Sequence, residues 1–165
     1  MTEMQAGAVA IRQALPGDAE TVSSILLEAA EWLRERDIPM WRADELSPER
    51  IAIDVAEGCF FLARSGGEAV GTIKFQLQDT LFWPDTPAGE AAFVHRLAVR
   101  RAFAGGQLSA QLLRWAARNL ARKFLRLDCE ASRPRLRAVY ERHGFRHHSD
   151  RQVGPYFVSR YELLV

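Results

Sequence analysis

Apolar residues recur along this chain with two different spacings, and the alternation between them orders the elements. Val22, Ile25, Leu26, Ala29 and Leu33 fall on one stripe of a helix that starts after the turn Pro16-Gly17-Asp18. Asp18 is placed to be its N-cap and Pro39 to be its stop. Upstream, AVAIRQA has the short apolar pattern of a first strand. SPERIAIDVAEG predicts a second, shorter helix, with Ser47 as cap, Pro48 in the first turn and Gly58 closing it. CFFLARSGGEAVGTIKFQLQD predicts a hairpin turning at Ser65–Gly67.

The proline-rich stretch TLFWPDTPAGE is a loop, and AAFVHRLAV after it is a strand. A helix follows over Gly106–Leu120, with Leu108, Leu112, Leu113, Ala116 and Leu120 on one side. KFLRLDCEA is a strand, RPRLRAVYERHG a helix closed by Gly144, and FRHH and YFVSRYELLV are the last two strands. The order is β-α-α-β-β-β-α-β-α-β-β. It predicts one α/β domain over residues 1–165, a mixed sheet with helices on both faces.

Charge adds little to this picture. Lys and Arg number 22 and Asp and Glu 21, so nucleic acid or an anionic membrane is not expected as the main partner. The stretch from Arg96 to Arg151 is rich in arginine, which suits a local anion site. Cys59 and Cys129 each lie in an apolar run and are expected to be free buried thiols. No leader-like segment and no run long enough to span a bilayer is evident, so a cytoplasmic protein is expected. His143, His147 and His148 lack partners at metal-ligand spacing, and no metal is expected.

Two stretches carry candidate chemistry. In LAVRRAFAGGQLSAQLL a strand ends at glycines and a helix begins at once. Such a junction presents free N–H groups and lets a phosphate approach the backbone, although it also serves as a plain bend. In RPRLRAVYERHGF, Tyr140 follows Leu136 by one turn. It reads either as a core tyrosine or as a phenol that gives a proton to a leaving group.

Together, HRLAVRRAFAGGQLSAQLL and PRLRAVYERHGF resemble the GNAT superfamily of N-acetyltransferases, and the element order fits that fold over nearly the whole chain. The resemblance implies acetyl transfer from acetyl-CoA to an amine. It implies that the strand segment Leu97, Ala98 and Val99 meets the pantetheine and the thioester. The loop Ala104, Gly105, Gly106, Gln107, Leu108 and Ser109 would hold the pyrophosphate, and Tyr140 would protonate the CoA thiolate. The loop departs from the family pattern at Ala104, Gln107 and Ser109. Arg133 stands where an asparagine often contacts CoA. Arg100, Arg101 and Arg133 could supply charge to phosphate.

VHRLAV looks like the matching strand of the arylalkylamine N-acetyltransferases, where alternating histidines line the amine site. His95 matches the second of that pair, and Phe93 occupies the first. His95 is thus a candidate base or a core histidine on an apolar face, with Glu90 in reserve as base. Asp128 and Glu130 read as strand-edge acids. Trp41 and Trp83, each in a loop with acids nearby, are candidates for the walls of an acceptor pocket. The expected partners are acetyl-CoA and an amine acceptor, and a homodimer is left open. A non-catalytic acyl-CoA sensor keeping the same fold is the alternative reading.

Overall fold

The computed structural model describes residues 9–105, 107–119 and 122–165. The elements run β1 (Ala10–Gln13), α1 (Ala19–Arg34), α2 (Pro48–Ala56), β2 (Phe60–Ser65), β3 (Glu68–Gln76), β4 (Ala91–Val99), α3 (Leu108–Asn119), β5 (Phe124–Glu130), α4 (Pro134–Arg142), β6 (Arg146–Val153) and β7 (Tyr156–Leu164). Short 3-10 turns occupy Pro16–Asp18, Ala43–Leu46 and Arg101–Phe103. The strand order is β1-β2-β3-β4-β5-β7-β6. β1–β2, β2–β3, β5–β7 and β6–β7 pair antiparallel, and β4–β5 run parallel. The mixed α/β order read from the sequence is the observed one. No helix among the described residues is long and apolar enough to cross a membrane.

The chain forms two compact units. One comprises residues up to 74 with 96–112, and the other 75–95 with 113–165. In the first, Val22, Ile25 and Leu26 of α1 and Ile51 and Val55 of α2 pack with Phe60 and Leu62 of β2 in one buried cluster. Each such side chain contributes about 1.5–3 kcal/mol by leaving water. The hairpin turns at Gly66 and Gly67, both at positive φ (57° and 84°), with Ser65 paired to Glu68. That is the twist a two-residue hairpin loop requires. Gly71 has a packing reason instead. A Cβ there would lie 3.1 Å from Leu112 Cδ1 and 3.3 Å from the Ala98 carbonyl oxygen, so its absence lets α3 sit close.

Two end signals differ from the sequence reading. Asp18 makes no capping bond to α1. Its carboxylate instead accepts from Leu15 N–H at 2.8 Å and from the Arg64 guanidinium at 3.3 Å. The 3-10 turn already holds Asp18 in helical backbone, which turns its side chain back along the chain. Helix α1 ends at Arg34, well before Pro39. Asp37 adopts a positive φ of 55°, and Ile38 N–H closes on the Leu33 carbonyl at 3.0 Å. Ser47 does cap α2, accepting from Arg50 N–H at 3.3 Å.

In the second unit, β5, β7 and β6 form an antiparallel run with Tyr161, Leu125 and Val158 buried. The parallel β4–β5 pairing covers only Ala91–Phe93 opposite Phe124–Arg126. Past that last pair, Val94 and His95 are the next residues of β4.

Candidate active site

β4 is not a uniform strand. Arg96 sits at a φ of +51°, a left-handed conformation that non-glycine residues adopt at a cost. The strict alternation expected of His95, Leu97 and Val99 is broken there: Leu97 is half-buried, while Ala98 and Val99 are both buried. The Arg96 guanidinium reaches Glu45 at 3.4 Å and lies 5.3 Å from the centre of the Trp41 ring. Trp41, half-buried, therefore already carries a cation on its face.

After β4 the chain is tied to α1. The Arg100 guanidinium donates to Ser24 Oγ at 2.9 Å and Arg101 N–H to Glu28 at 3.1 Å, while the Arg101 guanidinium stacks 3.9 Å over Trp32. Ala104 is extended, and Gly105 follows at φ +78° with nothing within 4 Å of where a Cβ would stand. Gly106 lies outside the described residues. Gln107 is exposed, and its carbonyl accepts from Gln111 N–H at 2.9 Å, opening the first turn of α3. Leu108 is buried and Ser109 half-buried. The side of Gly105 where a side chain would stand is thus open. Arg100 and Arg101 are turned toward α1.

In the other unit, Tyr140 is half-buried on α4. Its ring centre lies 6.2 Å from those of Phe145 and Tyr161. Burial, with lesser contributions from Cys129 and Asp128, pushes its phenol above the ordinary range. Arg133 pairs with Glu130 at 2.9 Å. Burial pushes the Cys129 thiol up to about 11 and also raises that of half-buried Cys59. Neither thiol is a ready nucleophile.

His95 does not rest in an apolar environment. Its Nε2 stands 2.9 Å from Asp79 Oδ2, at an angle short of hydrogen-bond geometry, and its side chain is 20% exposed. Burial works to raise the Asp79 carboxyl, but His95 and the N–H groups of Phe82 and Leu81 outweigh it and hold the group below its usual range. Asp128, read from sequence as a strand-edge acid, belongs with them. Desolvation pushes its carboxyl up to about 6, against the opposing influence of His95, Arg160 and Trp83.

Glu90 is held by Arg126 at 3.2 Å, and Arg126 also grips Glu162 at 3.0 Å. Trp83 is only 2% exposed and is not an open wall. Phe93 and His148 pack on it, and the guanidiniums of Arg126 and Arg160 lie 4.9 and 4.5 Å from its ring centre. Its Nε1 edge is directed at Asp128.

The model of the acetyltransferase (GNAT) family matches residues 23–145. The chain belongs to the GNAT acetyltransferase family. It is similar to the uncharacterized N-acetyltransferase YesJ of Bacillus subtilis, 30% identical over 139 residues that cover 78% of this chain and 76% of that one. Among solved structures, a GNAT acetyltransferase from Listeria monocytogenes superposes with a TM-score of 0.76 at 26% identity, covering 94% of this chain and 95% of that one. The PaiA N-acetyltransferase from Thermoplasma acidophilum, in complex with coenzyme A, shares the fold with a TM-score of 0.71 at 18% identity, over 94% and 99% of the two chains.

This GNAT acetyltransferase is an acetyl-CoA-dependent enzyme, and its sequence motifs fall in both units. The residues missed from sequence are Asp79, Tyr161 and the arginines flanking Trp83. Asp79 looked like the end of a hairpin strand. Only the fold brings it to His95.

Proposed function

We propose that this acetyltransferase moves the acetyl group of acetyl-CoA to a primary amine, on a small molecule or a peptide, by direct transfer in a ternary complex. In this reading residues 1–165 act as one acetyltransferase domain in the cytoplasm. The observation that carries it is Tyr140: a half-buried phenol whose ring is set beside Phe145 and Tyr161, at the position where the family resemblance puts the acid.

The amine loses a proton to His95 and attacks the thioester carbonyl. Backbone N–H groups of Leu97, Ala98 and Val99 polarise that carbonyl, and Tyr140 gives its proton to the departing sulfur. The likeness of VHRLAV to the arylalkylamine N-acetyltransferases supports His95 as the base. The raised thiols of Cys59 and Cys129 speak for direct transfer rather than an acetyl-cysteine intermediate. The open backbone at Gly105 supports Ala104–Ser109 as the pyrophosphate loop, with Arg133 on the CoA side. Trp41 is the acceptor-side aromatic of one loop. Trp83 acts through its Nε1 edge.

A panel of alkylamines, arylamines and peptides, followed by free thiol released from acetyl-CoA, tests this reading. Release that depends on one class of primary amine is the expected result. Acetyl-CoA binding without turnover on any amine would instead favour the sensor. Gly105→Val tests the loop. A β-branched residue is strained at a φ of +78° and places methyl groups where the backbone is open. Calorimetry should find acetyl-CoA binding weakened at least about tenfold, or about 1.4 kcal/mol, with an unchanged circular dichroism spectrum. Unaltered affinity would take the loop out of the site.

A further inference from the structure

Four polar atoms are sealed from solvent in one place, none in a hydrogen bond of good geometry: Asp79 Oδ2 and His95 Nε2, 2.9 Å apart, and Asp128 Oδ2 with Trp83 Nε1 directed toward it. Three of them belong to metal-ligating side chains, and Asp79, His95 and Asp128 each offer a ligand atom within 4.8 Å of the others. They come from the loop before β4, from β4 just past its last pair with β5, and from β5. We propose that Asp79, His95 and Asp128 bind a divalent transition-metal ion of the zinc class.

Buried polar atoms are normally satisfied, and two carboxylates sharing a dry site repel each other. The His95 ring is the nearest partner of Asp79, and an ion held by all three donors would relieve the repulsion between the carboxylates as well; the neighbouring arginines are engaged elsewhere. Arg160 donates to Asp85 at 2.8 Å and to Ser149 at 2.9 Å, and Arg126 is held by Glu90 and Glu162. Nε2 and Asp79 Oδ2 stand 2.9 Å apart, which brings an imidazole and a carboxylate donor together at one point.

The atoms around the ligands are also suitably arranged. Asp79 Oδ1 accepts from Phe82 N–H at 2.9 Å, which fixes the carboxylate and leaves Oδ2 free. The Trp83 Nε1 edge, on a side chain only 2% exposed, is directed at Asp128 and can orient it in the same way. An ion about 2.0–2.2 Å from each donor sets tetrahedral donors roughly 3.4 Å apart and keeps an open fourth position, so the 2.9 Å pair must open and donors as far as 4.8 Å apart must close on it. The imidazole ligand favours zinc-class ions over magnesium or calcium. A bound ion would occupy the imidazole lone pair that the proposed base needs, so zinc would inhibit transfer. That consequence rests on the reading above, whereas the site does not.

The test is titration of chelator-stripped protein with Zn²⁺ by calorimetry, with Co²⁺ as a spectroscopic probe and Mg²⁺ for comparison. One Zn²⁺ per chain should bind, and Co²⁺ should show d–d bands without thiolate charge transfer. Mg²⁺ should bind far more weakly. His95→Gln and Asp128→Asn should each weaken Zn²⁺ binding by more than about 100-fold, and Trp83→Phe by about 10–100-fold as an outer-shell change. His147→Gln, at the exposed pair with Asp150, should leave affinity unchanged.

Circular dichroism checks each fold. Asp128→Asn keeps the side-chain shape and removes a sealed charge, so it should remain folded. Absence of saturable Zn²⁺ binding would overturn the site, as would an unchanged Kd in both His95→Gln and Asp128→Asn. None of these readouts needs an acceptor amine, so failure of the metal site and failure of the acetyl-transfer reading are separable.

Discussion

Tyr140→Phe is expected to lower the turnover of acetyl transfer by about 10²–10⁴-fold, the usual contribution of a positioned acid. Phenylalanine keeps the ring and its contacts with Phe145 and Tyr161. The change removes one hydroxyl and should barely change Tm. Calorimetry should find acetyl-CoA affinity preserved, and kinetics should find kcat lowered with KM for acetyl-CoA little changed. That split marks an interaction made in the transition state rather than in the ground state. Full activity in the variant would remove Tyr140 as the acid. Loss of acetyl-CoA binding with intact chemistry would make it a binding residue.

Tyr161→Ala should cost about 3–5 kcal/mol of stability, the range for deleting a buried aromatic. Tyr161 is fully buried and the largest such side chain among the described residues. Its ring lies beside those of Tyr140 and His147, at 6.2 and 5.5 Å between centres. Its hydroxyl accepts from Arg137 Nε at 2.9 Å and donates to Glu141 at 2.8 Å. Tyr161→Phe keeps the volume and gives up only those bonds, so it should cost about 0.5–1.5 kcal/mol. Thermal melts of the two variants separate packing from hydrogen bonding. At a few degrees per kcal/mol, the alanine variant should melt roughly 10 °C lower. An alanine variant as stable as the phenylalanine one would mean that the cavity collapses around Tyr140.

Much of this was legible because hydrophobic spacing and turn chemistry are local. The apolar stripe of α1, the Ser47–Pro48 start of α2 and the Gly66-Gly67 turn each need only a few neighbouring residues to be read. The misreadings arose where distant residues or backbone strain intervene. Asp18 looked like a cap, but a 3-10 turn and Arg64 claimed its side chain. Pro39 looked like a stop, but Asp37 had already turned the chain.

Arg96 broke the alternation of β4. Spacing alone therefore put His95 on an apolar face when its neighbours are carboxylates. Asp79, His95 and Asp128 are far apart in sequence, and no ligand spacing announces them. Trp83 was read from its loop as a candidate wall of an acceptor pocket, whereas two arginines and Phe93 enclose it. The roles proposed for the loop residues from Ala104 to Ser109 and for Tyr140 rest on two motifs taken together, since each alone has a bland explanation.

The poor nucleophilicity of the two cysteines has a practical side. Reagents that count free thiols react with thiolates, and Cys129, buried and pushed up to about 11, presents almost none at neutral pH. Cys59 is raised in the same direction by burial and by Asp54. A colorimetric thiol assay run on the folded protein should therefore start from a low, slowly rising baseline, and the signal it gathers with acetyl-CoA present would belong to the coenzyme. The same baseline doubles as a fold gauge: a variant whose own thiols develop colour quickly has opened the strand that carries Cys129.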